Sequence, residues 1–351
     1  MMEIKHLKIT MLVALVSCTF FLAPTQVNAA NYSKSEAKQV RYFQNRYKKL
    51  SKKVYDENNL YTVEPNFAEP FNPGQLKAAY ITTSMDYVNY YRKLCGLPSE
   101  SNNDKVNRDA QIGASALAAI NAKTSLTAHG LLGYTRPYYI SEDEWNTAED
   151  ATLGNINFLE SDTGASAGEI VTDLIKDDNN LDGSGNTGHR ALILSARATR
   201  MGIGAAYGSS NKKFYSVQNG VFADDILRPA VKDVVAFPSS GVFPYELLDS
   251  DTPWSIYFAK RRLTRQPKIY VTDLTTNKKK RAIHVRNYGT DYFGDGYTSA
   301  ISFDPNISLI NTHKYKVEIR GVTSYSFRLF RQKDTLKGPK KVVHKTTQHS
   351  K

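Results

Sequence analysis

Apolar residues recur at spacings of three and four through the first two hundred positions, then give way to alternation from about residue 201 onward. The first pattern predicts helices and the second strands. Residues 34–58 read as a basic amphipathic helix with Val40, Phe43, Tyr47 and Leu50 on one face. Asn72-Pro73-Gly74-Gln75 reads as the start of a second helix, with a capping side chain and proline at the first helical position. Its stripe is Ile81, Met85, Val88, Tyr91 and Cys95, and Gly96 with Pro98 ends it. A third helix over 105–123 carries Ala110, Gly113, Leu117 and Ile120 among small neighbours that permit close packing, and it runs into Thr127-Ala128-His129-Gly130. A fourth opens at Ser166, whose capping box with Glu169 precedes Ile170, Val171, Leu174 and Ile175. Asp178 continues that buried stripe, which predicts a carboxylate bordering a core or a cleft.

The later segments MGIGAAYG and KKFYSVQNGVF predict two strands joined by a turn. From about residue 226 the runs WSIYF, KIYVTDL, AIHVRNY, TSAISF, KYKVEI and YSFRLF predict an antiparallel, Ig-like β-sandwich of about a hundred residues. The expected class is therefore α+β. The expected divisions are a basic helix and connector over 30–71, a mixed domain over 72–225, a β-sandwich over 226–335 and a basic tail over 336–351.

Residues 1–29 read as a signal peptide rather than structure. Lys5 and Lys8 give a basic start, Leu12 to Leu22 is largely apolar, and Val27-Asn28-Ala29 precedes a cleavage point at Ala30. A lipoprotein reading of Leu15-Val16-Ser17-Cys18 is disfavoured because the apolar run continues past Cys18. No other stretch nears the ~18 apolar residues of a membrane span, so the expectation is a secreted chain, extracellular or loosely wall-associated. Cys95 would be its only cysteine, which excludes an intramolecular disulfide. On a helical stripe it reads as a small core residue rather than a nucleophile.

Charge alters the picture at the two ends. The chain holds 46 Lys and Arg against 34 Asp and Glu. Residues 30–60 contain eight basic and three acidic residues, and residues 331–351 seven and one, so the body between them is formally neutral. A neutral body argues against nucleic acid as a partner. Basic arms suit an anionic cell-envelope polymer, or serve only as solvated tails.

Candidate chemistry centres on GNTGHRALIL, residues 185–194, where His189 follows a Gly-rich run and opens an apolar helical segment. Gly164-Ala165-Ser166-Ala167-Gly168 formally matches G-x-S-x-G, but no apolar strand precedes it and capping already accounts for Ser166. In NYGTDYFGDGYT the aromatics Tyr288, Tyr292, Phe293 and Tyr297 read either as a sugar-stacking loop or, more plainly, as sandwich core.

The order of DYVNYYRKLCGLP, TAHG, LIKDDNNLDGSGNTGHRALIL and MGIGAAYG resembles the CAP superfamily of cysteine-rich secretory, antigen-five and pathogenesis-related proteins, in its bacterial SCP-domain form. The resemblance implies a three-layer α-β-α sandwich with a cleft lined by two histidines and two acids, at times holding a divalent metal. It assigns the histidines to His129 and His189. The second acid falls at Asp177 or Asp178, of which Asp178 is the candidate catalytic carboxylate beside the two histidines. The first family acid lies in a G-E-N box, whose counterpart LGNINF has Gly154-Asn155 and no glutamate; Glu149 and Glu160 are the nearest substitutes. His129 and His189 are thus the expected ligands for Zn2+ or another divalent metal, if any cofactor is used, in a weak or open site. The leading expectation is a secreted protein whose cleft binds a small or apolar ligand or a metal. The alternatives are a metal-assisted extracellular peptidase or esterase using the same cleft, and a wall-adhesion protein held by its basic arms.

Overall fold

The structure, a computed structural model, describes residues 32–333 except 162, 179, 181–185, 221 and 290–295. The leader over 1–29 with Cys18, the tail over 336–351, Tyr292 and Phe293 lie outside the described residues.

Helix α1, Lys34–Lys49, begins at a capping box in which Ser33 and Glu36 bond each other's backbone N–H. Its apolar face does not hang free. Phe43 stacks near Phe330, Gln44 donates to the Arg331 carbonyl, and Glu36 pairs with Lys314 and Arg328. Lys34, Lys38, Arg41, Lys48 and Lys49 remain exposed on the other side. The helix is shorter than 34–58, because Leu50 takes an extended conformation and strand β1, Val54–Tyr55, follows.

The second helix also starts later than the sequence predicts. Gly74 has φ +70, and a Cβ there would meet the Val63 carbonyl oxygen, so Asn72-Pro73-Gly74 makes a turn rather than a helical first turn. That turn lets β3, Gln75–Leu76, pair antiparallel with β2, Tyr61–Val63. Helix α2, Ala78–Leu94, then buries Met85, Val88 and Tyr91, with Cys95 at its cap.

Helix α3, Asp104–Ala119, is capped by Asn103, and α4, Glu142–Thr152, by a Ser141–Glu144 capping box. Strand β4, Asn155–Leu159, follows α4 closely. The pair β5, Ala165–Ser166, lies against β1 and leads into α5, Ala167–Lys176. Helix α6, Gly188–Ile193, precedes β6, Met201–Tyr207, and β7, Phe214–Gly220. The three long strands form one antiparallel sheet in the order β4-β7-β6.

Alternation along β6 divides the core. Met201, Ile203 and Ala205 join the cluster that holds α2 and α5, while Ala206, with Tyr215 and Val217 of β7, joins the cluster that holds α3 and α4. Gly202 and Gly204 let α3 settle directly onto the sheet: a Cβ on either would collide with the Val106 or Ala110 backbone. The result is helix, sheet and helix in three layers.

The C-terminal region is all β. One sheet has the order β13-β14-β10-β8: Ile283–Gly289, Ser299–Asp304, Trp254–Phe258 and Val234–Phe237. The other runs β12-β11-β15-β16-β9: Lys278–Arg281, Ile269–Asp273, Lys314–Ile319, Thr323–Phe330 and Gly241–Pro244. One pairing departs from the expected antiparallel pattern. The chain crosses between sheets in the short link after β8, so β9 lies parallel to β16. Every residue of β10 is buried, because it has a neighbour on each face. Trp254 packs on Phe303 and Phe327 in the sandwich core, whereas Ser255 and Tyr257 face the helical region. No helix among the described residues is long and apolar enough to cross a membrane.

Candidate functional site

His129 lies in the turn Leu126–Leu131, just after α3, and its ring is anchored by the end of α4. Nδ1 lies 3.0 Å from the Thr152 carbonyl, one of the terminal helix carbonyls that lack an intrahelical partner. A carbonyl can only accept, so Nδ1 carries the hydrogen and Nε2 is left as an acceptor. Burial holds the His129 pKa below the ordinary imidazole value against the Thr152 bond, and the nearby charge of His189 pushes it the same way.

His189 occupies the first turn of α6 and is held by Asp177, the residue that caps α5 in the left-handed conformation. The Asp177 Oδ1 atom is 2.9 Å from His189 Nδ1 and also accepts from Asn180. Its Oδ2 accepts the Arg190 backbone N–H at 3.0 Å. Burial alone would lower the His189 pKa; the Asp177 carboxylate, through charge and hydrogen bond and with Asp173 behind it, outweighs burial and raises it. One cavity of about 110 Å³ is lined by both histidines, Asp173, Asp177, Asn157 and Asn180, among others. Its two imidazoles are anchored through Nδ1 and differ in proton affinity.

The acid beside His189 is Asp177, not Asp178. Position 178 follows the left-handed cap, so the helical stripe no longer governs its direction, and Asp178 pairs instead with Lys176 at 3.0 Å. Neither proposed substitute for the glutamate reaches the cleft lining. Glu149 accepts from the Trp145 indole, and Glu160 pairs with Lys213 at the surface. Asn155, at the glutamate-free position, donates to the His189 carbonyl at 2.9 Å. Ser166 is occupied as the α5 cap. Burial pushes the Cys95 thiol up to about 12, which leaves it a core residue.

Three contributors escaped the sequence reading: Asp173, Asn157 and Thr152. Asp173 lies four residues before Asp177, one turn back on α5, and accepts from Asn157 at 2.6 Å. Asn157 lies two residues after Asn155 on β4, the spacing that puts both on one face. Thr152 acts through a backbone carbonyl, which no side-chain motif encodes.

The β region reaches into this site through Arg190. Its fully buried guanidinium donates to the carbonyls of Ile175, Lys176 and Pro253 and to Ser255 Oγ, and lies over the Phe237 ring. Tyr257 of β10 donates to Thr187, immediately before the GHR turn, and Tyr297 donates to the Leu194 carbonyl just past it. The two tyrosines stack with centroids 5.0 Å apart. Tyr297 is thus an interface residue rather than a sugar platform, and half-buried Tyr288 packs against the core.

Two imidazoles fall short of the three or four protein ligands that a tight zinc site uses. The Nδ1 bonds do not themselves exclude a metal, since ligating histidines are commonly anchored that way and bind through Nε2, but no group of three or more His, Cys, Asp or Glu able to hold a metal ion occurs among the described residues. The donor set therefore does not fit a tightly held metal.

No curated protein matches the chain. Residues 85–219 match the model of the cysteine-rich secretory protein family, CAP, a span that includes α3, α4, α5, the β4-β7-β6 sheet, both histidines and Asp177. This chain carries a CAP domain over residues 85–219.

Proposed function

We propose that this is a secreted CAP-domain protein whose two-histidine cleft captures one small polar group of an extracellular ligand, with His129 accepting and His189 donating. The observation that carries the reading is the divergence of the two imidazoles. One is buried against a carbonyl and biased to the neutral form, the other is backed by a carboxylate and biased to the cation. A neutral Nε2 and a protonated Nε2 facing one cavity present an acceptor and a charged donor together. The exposed basic face of α1 supports envelope contact, since its lysines and arginines stay outward while the apolar face is docked.

The same divergence supports hydrolysis as the second reading, because paired groups with pKa values pushed apart suit a base and an acid. Its weak point is the carboxylate set: Asp177 is spent on His189 and Asp173 on Asn157. Binding is accordingly the preferred reading. The test is imidazole NMR on the full chain with a panel of acetylated amino sugars, amidated dipeptides and ester substrates. A panel member that shifts the His129 and His189 resonances without being consumed, and does not bind His189→Ala, supports binding. Consumption that depends on His129 replaces it with hydrolysis, and an unresponsive pair of rings across the panel removes both.

A further inference from the structure

A second cavity of about 430 Å³ adjoins the histidine cleft, and the two share Asp177 and Asn180 as a common wall. The second cavity lies where the CAP domain meets the β region: Asp178 comes from beyond α5, Asp251 from the loop before β10, Arg286 from β13, and Ser302 and Asp304 from β14. At about 110 Å³ the histidine cleft is smaller than the ~300–1,000 Å³ of ordinary ligand sites, whereas the adjoining cavity falls within that range. The cleft by itself has room for one group of a ligand, and the rest needs the neighbouring space.

Ser302 shows that the second cavity is polar in design. It is 1 % exposed, and its Oγ has no hydrogen-bond partner. Its register partner on β10 is Ser255, whose Oγ already accepts from Arg190, so Ser302 faces the CAP side of the sheet as well. A buried hydroxyl left unbonded costs about 1–3 kcal/mol, a penalty that a ligand donor or acceptor in the cavity would remove.

Charge indicates the class of ligand. Asp177, Asp178, Asp251 and Asp304 line the second cavity against Arg286 and His284; Asp177 is held by His189, Asp178 by Lys176 and Asp304 by His284, whereas Asp251 has no hydrogen bond or ion pair among the described residues and carries the charge left for a ligand. These carboxylates do not converge on a point, since no metal-holding group of three occurs among the described residues. A spread of carboxylates suits an extended organic cation. A glycan groove would want an open aromatic face, but Phe303 is fully buried and Phe158 half-buried at the cleft.

We propose that the histidine cleft and the cavity between the CAP domain and the β region form one groove for a basic peptide segment. A lysine or arginine side chain lies among Asp178, Asp251 and Asp304, a polar backbone group meets Ser302, and the adjoining residue enters the cleft between His129 and His189. The proposal rests on the binding reading of the cleft and adds the partner's chemistry and the role of the β region.

The experiment uses an acetylated, amidated tetrapeptide of alternating lysine and alanine, labelled for anisotropy, with neutral chitotriose as the rival probe. The proteins are the full chain and the variants Asp251→Asn, Asp304→Asn and His189→Ala. Imidazole NMR on the same samples reports the cleft independently. The expected result is peptide binding that weakens as salt rises, a loss of about fivefold with either aspartate variant, and shifted His189 resonances in the wild type. Peptide that shifts His189 yet binds both aspartate variants at wild-type affinity would overturn the groove while leaving the cleft reading intact. Tighter, salt-insensitive binding of chitotriose would overturn the peptide class. Peptide binding that never perturbs either imidazole would separate the second cavity from the cleft and refute the shared groove. Circular dichroism of each variant excludes misfolding as the cause of a loss.

Discussion

Replacing Arg190 with methionine keeps most of the buried volume and removes every donor of the guanidinium. Four acceptors lose their partner: the carbonyls of Ile175, Lys176 and Pro253, and Ser255 Oγ. At about 1 kcal/mol for each net hydrogen bond, with acceptors that are neutral carbonyls and a hydroxyl, the loss is about 4 kcal/mol. Stacking over Phe237 adds to the loss, and the desolvation cost of burying a guanidinium subtracts from it. For a chain of this size, about 2–3 °C per kcal/mol gives a fall in melting temperature of about 8–12 °C. The assay is urea denaturation followed by both tryptophan fluorescence and far-ultraviolet circular dichroism. A companion variant, Ser255→Ala, removes one acceptor and should cost about 1 kcal/mol. Because the two residues are partners, the double variant should lose less than the sum of the singles. An Arg190→Met protein within about 1 kcal/mol of wild type would refute the claim that this arginine clamps the CAP domain to the β region.

Three further outcomes follow from the cleft and the sheet. In a pH titration by NMR, His189 should titrate above and His129 below the ordinary value of 6.5, and both on the same side would refute the assigned environments. For His189 the folded pKa is the raised one, so its stabilisation is fully present below about pH 6.5 and is lost as pH rises through its folded pKa; for His129 the sign is reversed, and its contribution is lost as pH falls. Asp177→Asn should drop the His189 pKa below 6.5, because burial then outweighs the one remaining charge, that of Asp173, while Asp178→Asn should leave that titration within a few tenths of wild type. Gly204→Ala should cost more than about 2 kcal/mol in urea, since α3 must lift from the sheet to admit the methyl, and a neutral result would mean the helix has slack there.

Helical periodicity and capping boxes exposed α1, α5 and the stripe of α2 in the sequence, because those signals are local. Helix α4 went unread although Ser141 and Glu144 form the same kind of box, since the turn before it, rich in tyrosine and proline, blurs the apolar pattern. The two histidines were legible through the TAHG and GHR motifs. The acid was legible only as one of two: Asp177 beats Asp178 by virtue of one left-handed residue at the helix end, and periodicity carries no information past that point. Glycine at position 74 misled for a related reason, as a proline-bearing turn and a helix start share the same letters until φ is known.

The least legible feature is the one that gives the β region a reason to be there. WSIYF reads as a strand with no hint that Ser255 and Tyr257 face another domain, and nothing in GHRALIL says that its arginine will cross to meet them. The geometry links them through one chain of contacts. The Arg190 backbone N–H holds Asp177, Asp177 holds His189, and the Arg190 side chain is itself held by the strand before and within β10. Tyr257 and Tyr297 fix both ends of the GHR segment from the same sheet. A histidine raised toward the cation by a buried carboxylate keeps that property only while the carboxylate stays in place. The sandwich is therefore part of what sets the proton affinity of His189, and a truncation at the end of the CAP match would leave the histidine present but its environment unmade.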